Sequence, residues 1–187
     1  MPLLELLPDG IGDAHEWLAL PSGTAPAAVL DLNGPDGDAS YIRSTGNPDD
    51  PTAGVLSLFT FQRAPQLPRP ILSVSYITIR PWARRAGAGA QFLAGVIKSG
   101  AAQLVFPSVQ VTSPAYAALE PSTTGWLSFT DPATGKSWTV AAALAAQVGV
   151  FDSTPNAAHE MRVTKITKQV WVEWDSRGAA VRYESGL

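Results

Sequence analysis

The sequence contains no cysteine. Disulfide frameworks, thiol nucleophiles and thiolate metal sites are therefore excluded, and the redox compartment is left unmarked. Histidine is almost as scarce. His15 and His159, in DAHEW and AAHEM, stand far apart and without the spacing of a zinc-binding helix, so both read as surface or capping residues and no metal site is assigned. Charge is thin as well: 16% of residues are charged and the formal net charge is -3. A protein that tracks a phosphate backbone needs clustered lysine and arginine in excess, so nucleic acid is not an expected partner. No apolar run approaches the roughly 18 residues of a membrane span, and the opening MPLLELLPDGIGDAHEW lacks the basic flank and apolar core of a secretion signal. The chain reads as soluble and made in the cytoplasm without export.

What is present is 187 residues, 45% hydrophobic, with 16 glycines and 16 prolines. That length buries a core without staples, and the abundant turn formers cut the chain into short ordered pieces. VLSLFTF (Val55 to Phe61) alternates Val55, Ser57, Phe59 and Phe61 against Leu56, Leu58 and Thr60, and ILSVSYITIR (Ile71 to Arg80) is rich in β-branched and aromatic residues. AQFLAGVIKS, AAQLVFPSVQVTS and TTGWLSFT follow, with Gly100 placed for a tight hairpin between the first two. In RVTKITKQVWVEW, Ile166, Val170, Val172 and Trp174 share one side. Lys165, Thr167, Gln169 and Glu173 share the other with Trp171, which predicts a half-buried strand with a wet outer face. Turn signals at roughly 8 to 12-residue spacing predict an all-β fold, an antiparallel β-sandwich of eight or more strands in two sheets.

One short helix interrupts the pattern, in SWTVAAALAAQVG. Thr139 is its N-cap, Gly149 closes it, and Val140, Leu144 and Val148 form the buried stripe. Before it, Asp131, Pro132 and Gly135 make a chain reversal that delivers Trp138 into the core. The first 26 residues show little strand patterning yet carry Leu3, Leu4, Leu6, Leu7, Ile11 and Trp17. They read as an extended N-terminal attachment arm that docks on its own sandwich or on a neighbouring subunit, because apolar side chains of this size are worth roughly 1.5 to 3 kcal/mol each when buried. Residues 27–174 then form the sandwich and 175–187 a tail or added edge strand.

Binding chemistry is sparse. DLNGPDGD offers Asp31, Asn33, Asp36 and Asp38 as oxygen ligands for calcium, but a plain Gly-Pro-Asp-Gly turn explains it equally and the closing glutamate of an EF-hand is missing. RPWARRAGAGA groups Arg80, Arg84 and Arg85 around Trp82 ahead of a Gly-Ala link. It reads as a solvated strand end and loop, or as a basic aromatic patch for sugars or an acidic protein neighbour. The exposure of Trp17, Trp82 and Trp171 stays open at this level. No Ser-His-Asp order and no paired acids for glycoside hydrolysis are suggested, so no catalytic residue and no cofactor are assigned.

DPATGKSWTVAAALAAQVGV, a D-P-x-T-G-x-x-W-T turn followed by a short alanine-rich helix and a G-V strand, resembles a family of bacteriophage-encoded jelly-roll proteins with a concanavalin-like sandwich. GDASYIRS with the later LSLFTF, and ILSVSYITIRPWARRAGAGA, resemble further pieces of that family in the same order, together spanning about Asp31 to Trp174. The resemblance implies a jelly-roll topology and a non-enzymatic virion protein: capsid decoration, head fibre, or a tail-associated component. The implied partners are the major capsid protein or other virion proteins and further copies of the chain, a trimer being favoured, with a glycan as the alternative ligand of a receptor-binding module.

Overall fold

The computed structural model describes residues 3–20, 22, 24–30, 39–44, 54–61, 70–87, 90–153 and 160–175. In chain order the elements are β1 (Leu3–Leu6), β2 (Pro8–His15), β3 (Leu18–Leu20), α1 (Pro26–Leu30), β4 (Tyr41–Ser44), β5 (Val55–Phe61), β6 (Ile71–Arg85) and β7 (Gln91–Ser99). They continue with β8 (Ala102–Val105), β9 (Val109–Val111), β10 (Ala117–Ala118), α2 (Pro121–Thr124), β11 (Leu127–Ser128), α3 (Val140–Ala145), β12 (Gln147–Asp152) and β13 (Met161–Trp174). The fold is an all-β sandwich of two antiparallel sheets.

The seven-stranded sheet runs β10-β6-β13-β4-β3, with β1 also on β13 and β11 also on β6. Its spine is the pairing of β6 with β13, held from Arg85↔Met161 to Ile71↔Trp174 through three register shifts. The other edge of β13 is shared by β4 at Met161 to Val163 and by β1 at Lys168 to Trp171. The six-stranded sheet runs β2-β5-β12-β7-β8, with β9 also on β7. Gly100 makes the β7–β8 hairpin at φ 55°, a conformation that costs a glycine nothing, and Ser99 pairs with Ala102 across it.

Between the sheets lie Ile77, Ile79 and Ala83 of β6 and Met161, Val163, Ile166, Val170 and Val172 of β13. They face Phe59, Phe61, Leu93, Ile97, Val148 and Val150 from the other layer, all buried. Trp126 fills the centre. A Cβ at Gly95 would lie 2.9 Å from its indole, so the glycine opens the space that the ring occupies, and Trp126 Nε1 donates to Pro107 O at 2.9 Å.

Four expectations are corrected. The N-terminal segment is strand rather than arm: β1 and β3 lie in one sheet, β2 in the other, and Leu6 and Trp17 are buried in its own sandwich because β13 and β5 each offer an edge to pair with. Instead of one helix there are three short ones among the described residues. The third stops at Ala145, with Ala143 as its buried residue, while Val148 and Gly149 belong to β12. A Cβ on Gly149 would fall 1.8 Å from Ser57 O, so this glycine serves close approach of β5 and β12 and not a helix end. The strand that begins at Ile71 does not stop at Arg80, since β6 continues through Arg85. Finally, the expected wet face of β13 is largely closed: Lys165, Thr167 and Gln169 are buried. Among the described residues no helix is long and apolar enough to cross a membrane.

Candidate functional site

The stretch Asp131 to Thr139 folds as a self-contained reversal. The Asp131 carboxylate accepts from Ala133 N at 2.9 Å, its carbonyl accepts from Gly135 N at 2.8 Å, and its own N–H donates to Lys136 O at 2.8 Å. Gly135 sits at φ 68°, the left-handed conformation that closes the turn, and Thr130 bridges Ser137 behind it. Trp138 is buried and donates its indole N–H to Ser128 O at 3.0 Å. Thr139 then caps α3, its hydroxyl accepting from Ala142 N at 3.1 Å.

The far end of α3 is held by a group the sequence pattern concealed. Lys168, on the inward face of β13, is fully buried, and its Nζ donates to the carbonyls of Ala143 (3.2 Å), Leu144 (2.9 Å) and Ala146 (2.8 Å). An ammonium at a helix C-terminus satisfies orphan carbonyls and meets the negative end of the helix dipole. Burial nevertheless pushes its pKa down to about 7, with the charge of Asp9 acting the other way. The Phe61 ring lies 5.2 Å beneath the nitrogen.

The outer surface of the seven-stranded sheet brings a set of polar and aromatic side chains together. Because β6 and β13 are in register, outward residues form cross-strand rows: Arg84 with Arg162, Trp82 with Lys165, Arg80 with Thr167, Thr78 with Gln169, Tyr76 with Trp171, and Ser73 with Glu173. Arg80 Cζ lies 4.3 Å from the Trp82 ring centre and Lys165 Nζ 5.0 Å, while Arg80 pairs with Glu120. Thr78 Oγ1 donates to Gln169 Oε1 at 3.0 Å, and Gln169 Nε2 to Glu5 at 3.2 Å. Tyr76 stacks on Trp171 at 5.4 Å and meets Phe129 edge-on at 5.4 Å, and Leu3 pairs with Trp171 from β1. The result is an apolar ridge across β1, β13 and β6 and onto Phe129, just past β11, whose two ends, Phe129 at 61% and Leu3 at 42%, stand in solvent.

The residues proposed from sequence are thus dispersed. Leu3, Leu4, Leu7 and Ile11 are exposed or half-buried, but Leu6 and Trp17 are not available to a partner: Trp17 is 1% exposed and donates to Val55 O at 3.0 Å. Arg84 leans over Tyr116 at 5.3 Å and donates to Pro114 O, whereas Arg85 lies on the inward-facing row beside Met161, away from Trp82 and Arg84. The possible calcium loop at Asp31 to Asp38, and His159, lie outside the described residues, and among those described no cluster of three or more metal-type ligands occurs.

His15 makes one arrangement that sequence spacing did not suggest. Its Nδ1 lies 3.2 Å from Ser57 Oγ, and burial lowers its pKa, which favours the neutral ring as acceptor. Ser57 is itself fully buried and accepts from the N–H groups of Glu16 and Trp17, so the pair anchors the bulge of β2 on β5. On the same strand the Asp13 carboxylate pairs with Lys98, and the Asp13 backbone N–H donates to Gln147 Oε1 at 2.9 Å. The Lys98 hydrogen bond, more than Gln147, lowers its pKa. No protein-family model matches the chain, and no curated protein matches it in sequence.

Proposed function

We propose that this chain is a non-enzymatic structural component of a bacteriophage particle, a jelly-roll protein that acts by adhesion to the major capsid protein or another virion protein, as decoration or a head-attached part. The observation that carries the reading is the fate of DPATGKSWTVAAALAAQVGV, the piece on which the phage resemblance rests. The polar groups of this stretch serve packing: Asp131 closes a turn, Trp138 bonds a strand carbonyl, Thr139 caps α3 and Gln147 accepts from the N–H of Asp13, while Lys168 reaches over from β13 to tie off the far end of α3. A unit of this kind braces two β-layers, and a braced sandwich with an aromatic outer ridge is suited to lasting contacts between proteins. The test is a mass-spectrometric copy count on purified particles of the phage that encodes it. A fixed stoichiometric complement per particle is expected, and particles without the protein would overturn the reading.

A receptor- or glycan-binding role is the second reading, and Tyr76, Trp171 and Phe129 favour it over the Trp82 patch. The Trp82 ring already has two cations of its own fold against it, whereas Phe129 is open to solvent and continuous with a stacked pair. Reproducible glycan-array hits abolished by Phe129→Ala and retained by Trp82→Ala would establish it.

A further inference from the structure

We infer that two copies of this chain pair face to face through the outer surface of the seven-stranded sheet, about a two-fold axis passing between the row of Arg80 and Thr167 and the row of Thr78 and Gln169. The inference comes from the order of the six outward rows. Numbered along β13, they read Arg84/Arg162, Trp82/Lys165, Arg80/Thr167, Thr78/Gln169, Tyr76/Trp171 and Ser73/Glu173. The series is basic at its start and acidic at its close. Turning a second copy through half a revolution about the midpoint sets the first row on the sixth, the second on the fifth and the third on the fourth. The arginines of one copy then face Glu173 of the other, and Trp82 with Lys165 faces the stacked pair Tyr76 and Trp171.

Each end supplies the chemistry the other lacks. Cations stack on aromatic faces, and an aromatic pair adds attraction beyond its buried area. Opposite charges at the rim set register and direction more than they set affinity. An isologous contact requires a surface complementary to itself under the two-fold, and this alternation meets that condition without help from any second patch. At about 3.3 Å per residue the run from Arg162 to Glu173 covers roughly 35 Å, and two twisted sheets lie face to face when their strands stay within about 30° of each other. The central rows bring little area, since Thr78, Thr167 and Gln169 are already buried beneath their own neighbours, and Lys165 is buried too, so Trp82 is what the second row presents. The contact is therefore carried by the outer rows, with Phe129 and Leu3 extending the ridge on either flank. A two-fold pair differs from the trimer that the phage resemblance implies.

The pairing is a property of the purified chain and stands apart from the virion reading, so its test is done in solution. Sedimentation of the full-length protein over a range of concentrations is expected to give twice the chain mass. Glu173→Arg and Arg84→Glu should each raise the dissociation constant about tenfold or more, because like charges then face each other at both symmetric positions. An equimolar mixture of the two variants should recover much of the dimer: at one symmetric position the native arginine row faces Glu173, and at the other the carboxylate introduced by Arg84→Glu offsets Arg162 in front of the guanidinium introduced by Glu173→Arg. If Arg84→Glu fails to fold by circular dichroism, Arg84→Gln takes its place, since Arg162 of the same row is paired with Glu160 of its own fold. Phe129→Ser, at an exposed position, should weaken the dimer and leave the fold intact. A single-chain mass at all concentrations, a trimer, or a dimer indifferent to these substitutions and to mixing would overturn the pairing.

Discussion

Lys168 sets a buried ammonium against its own desolvation. A buried ammonium is expensive, yet three carbonyls at the end of α3 would lose their donor without it. Lys168→Ala should therefore destabilise by about 3 to 5 kcal/mol, combining a cavity with unpaired carbonyls, as measured by urea unfolding. The pH dependence has a definite sign. In the unfolded chain the group titrates near the ordinary value of about 10.4, whereas in the fold burial holds it down at about 7. Between these values the unfolded chain binds one proton more than the folded one, so this residue makes stability rise with pH from about 7 towards 10, and its cost is felt in full below 7. Lys168→Met keeps the volume and removes the titration. The difference between the urea midpoints of wild type and this variant should change with pH across that window, and a constant difference would disprove the assignment.

At the scale of elements, the turn and the start of α3 were legible in sequence because their determinants are local: an Asx turn, a left-handed glycine and an N-cap each act within three or four residues. The end of α3 was not legible. Gly149 reads as a helix stop by type and position, but its lack of a side chain is used by a strand nearly a hundred residues earlier, where a Cβ would collide with Ser57 O. Gly149→Ala should accordingly force β5 and β12 apart and cost about 1 to 3 kcal/mol, visible as a lowered thermal midpoint. The same substitution at a helix C′ position with spare room would cost less. The outward rows were hidden for a related reason. Alternation identified Lys165, Thr167 and Gln169 as one face of β13, but only the pairing with β6 shows Trp82, Arg80 and Thr78 packed beside them. The arginine cluster was divided by the same period-2 geometry, which sends Arg84 out with Arg80 and Arg85 in.

For the whole molecule, the decisive question is whether the first twenty residues are an appendage or part of the fold. An attachment arm could be removed without loss, since the sandwich behind it would be complete. Here the segment supplies an edge strand to both sheets: β1 covers β13 beside Lys168, β2 covers β5, and β3 extends β4. It also seats two core side chains, Leu6 and Trp17. Losing the first is worth about 1.5 to 3 kcal/mol and the second about 3 to 5, before any strand hydrogen bonds are counted. Set against a total stability of about 5 to 15 kcal/mol for a domain, that loss leaves little or nothing. Deleting residues 1–20 should therefore abolish the cooperative thermal transition in calorimetry and expose hydrophobic surface to dye. A truncated chain that melted within a few degrees of the full-length protein would show that the sandwich is closed without its first three strands.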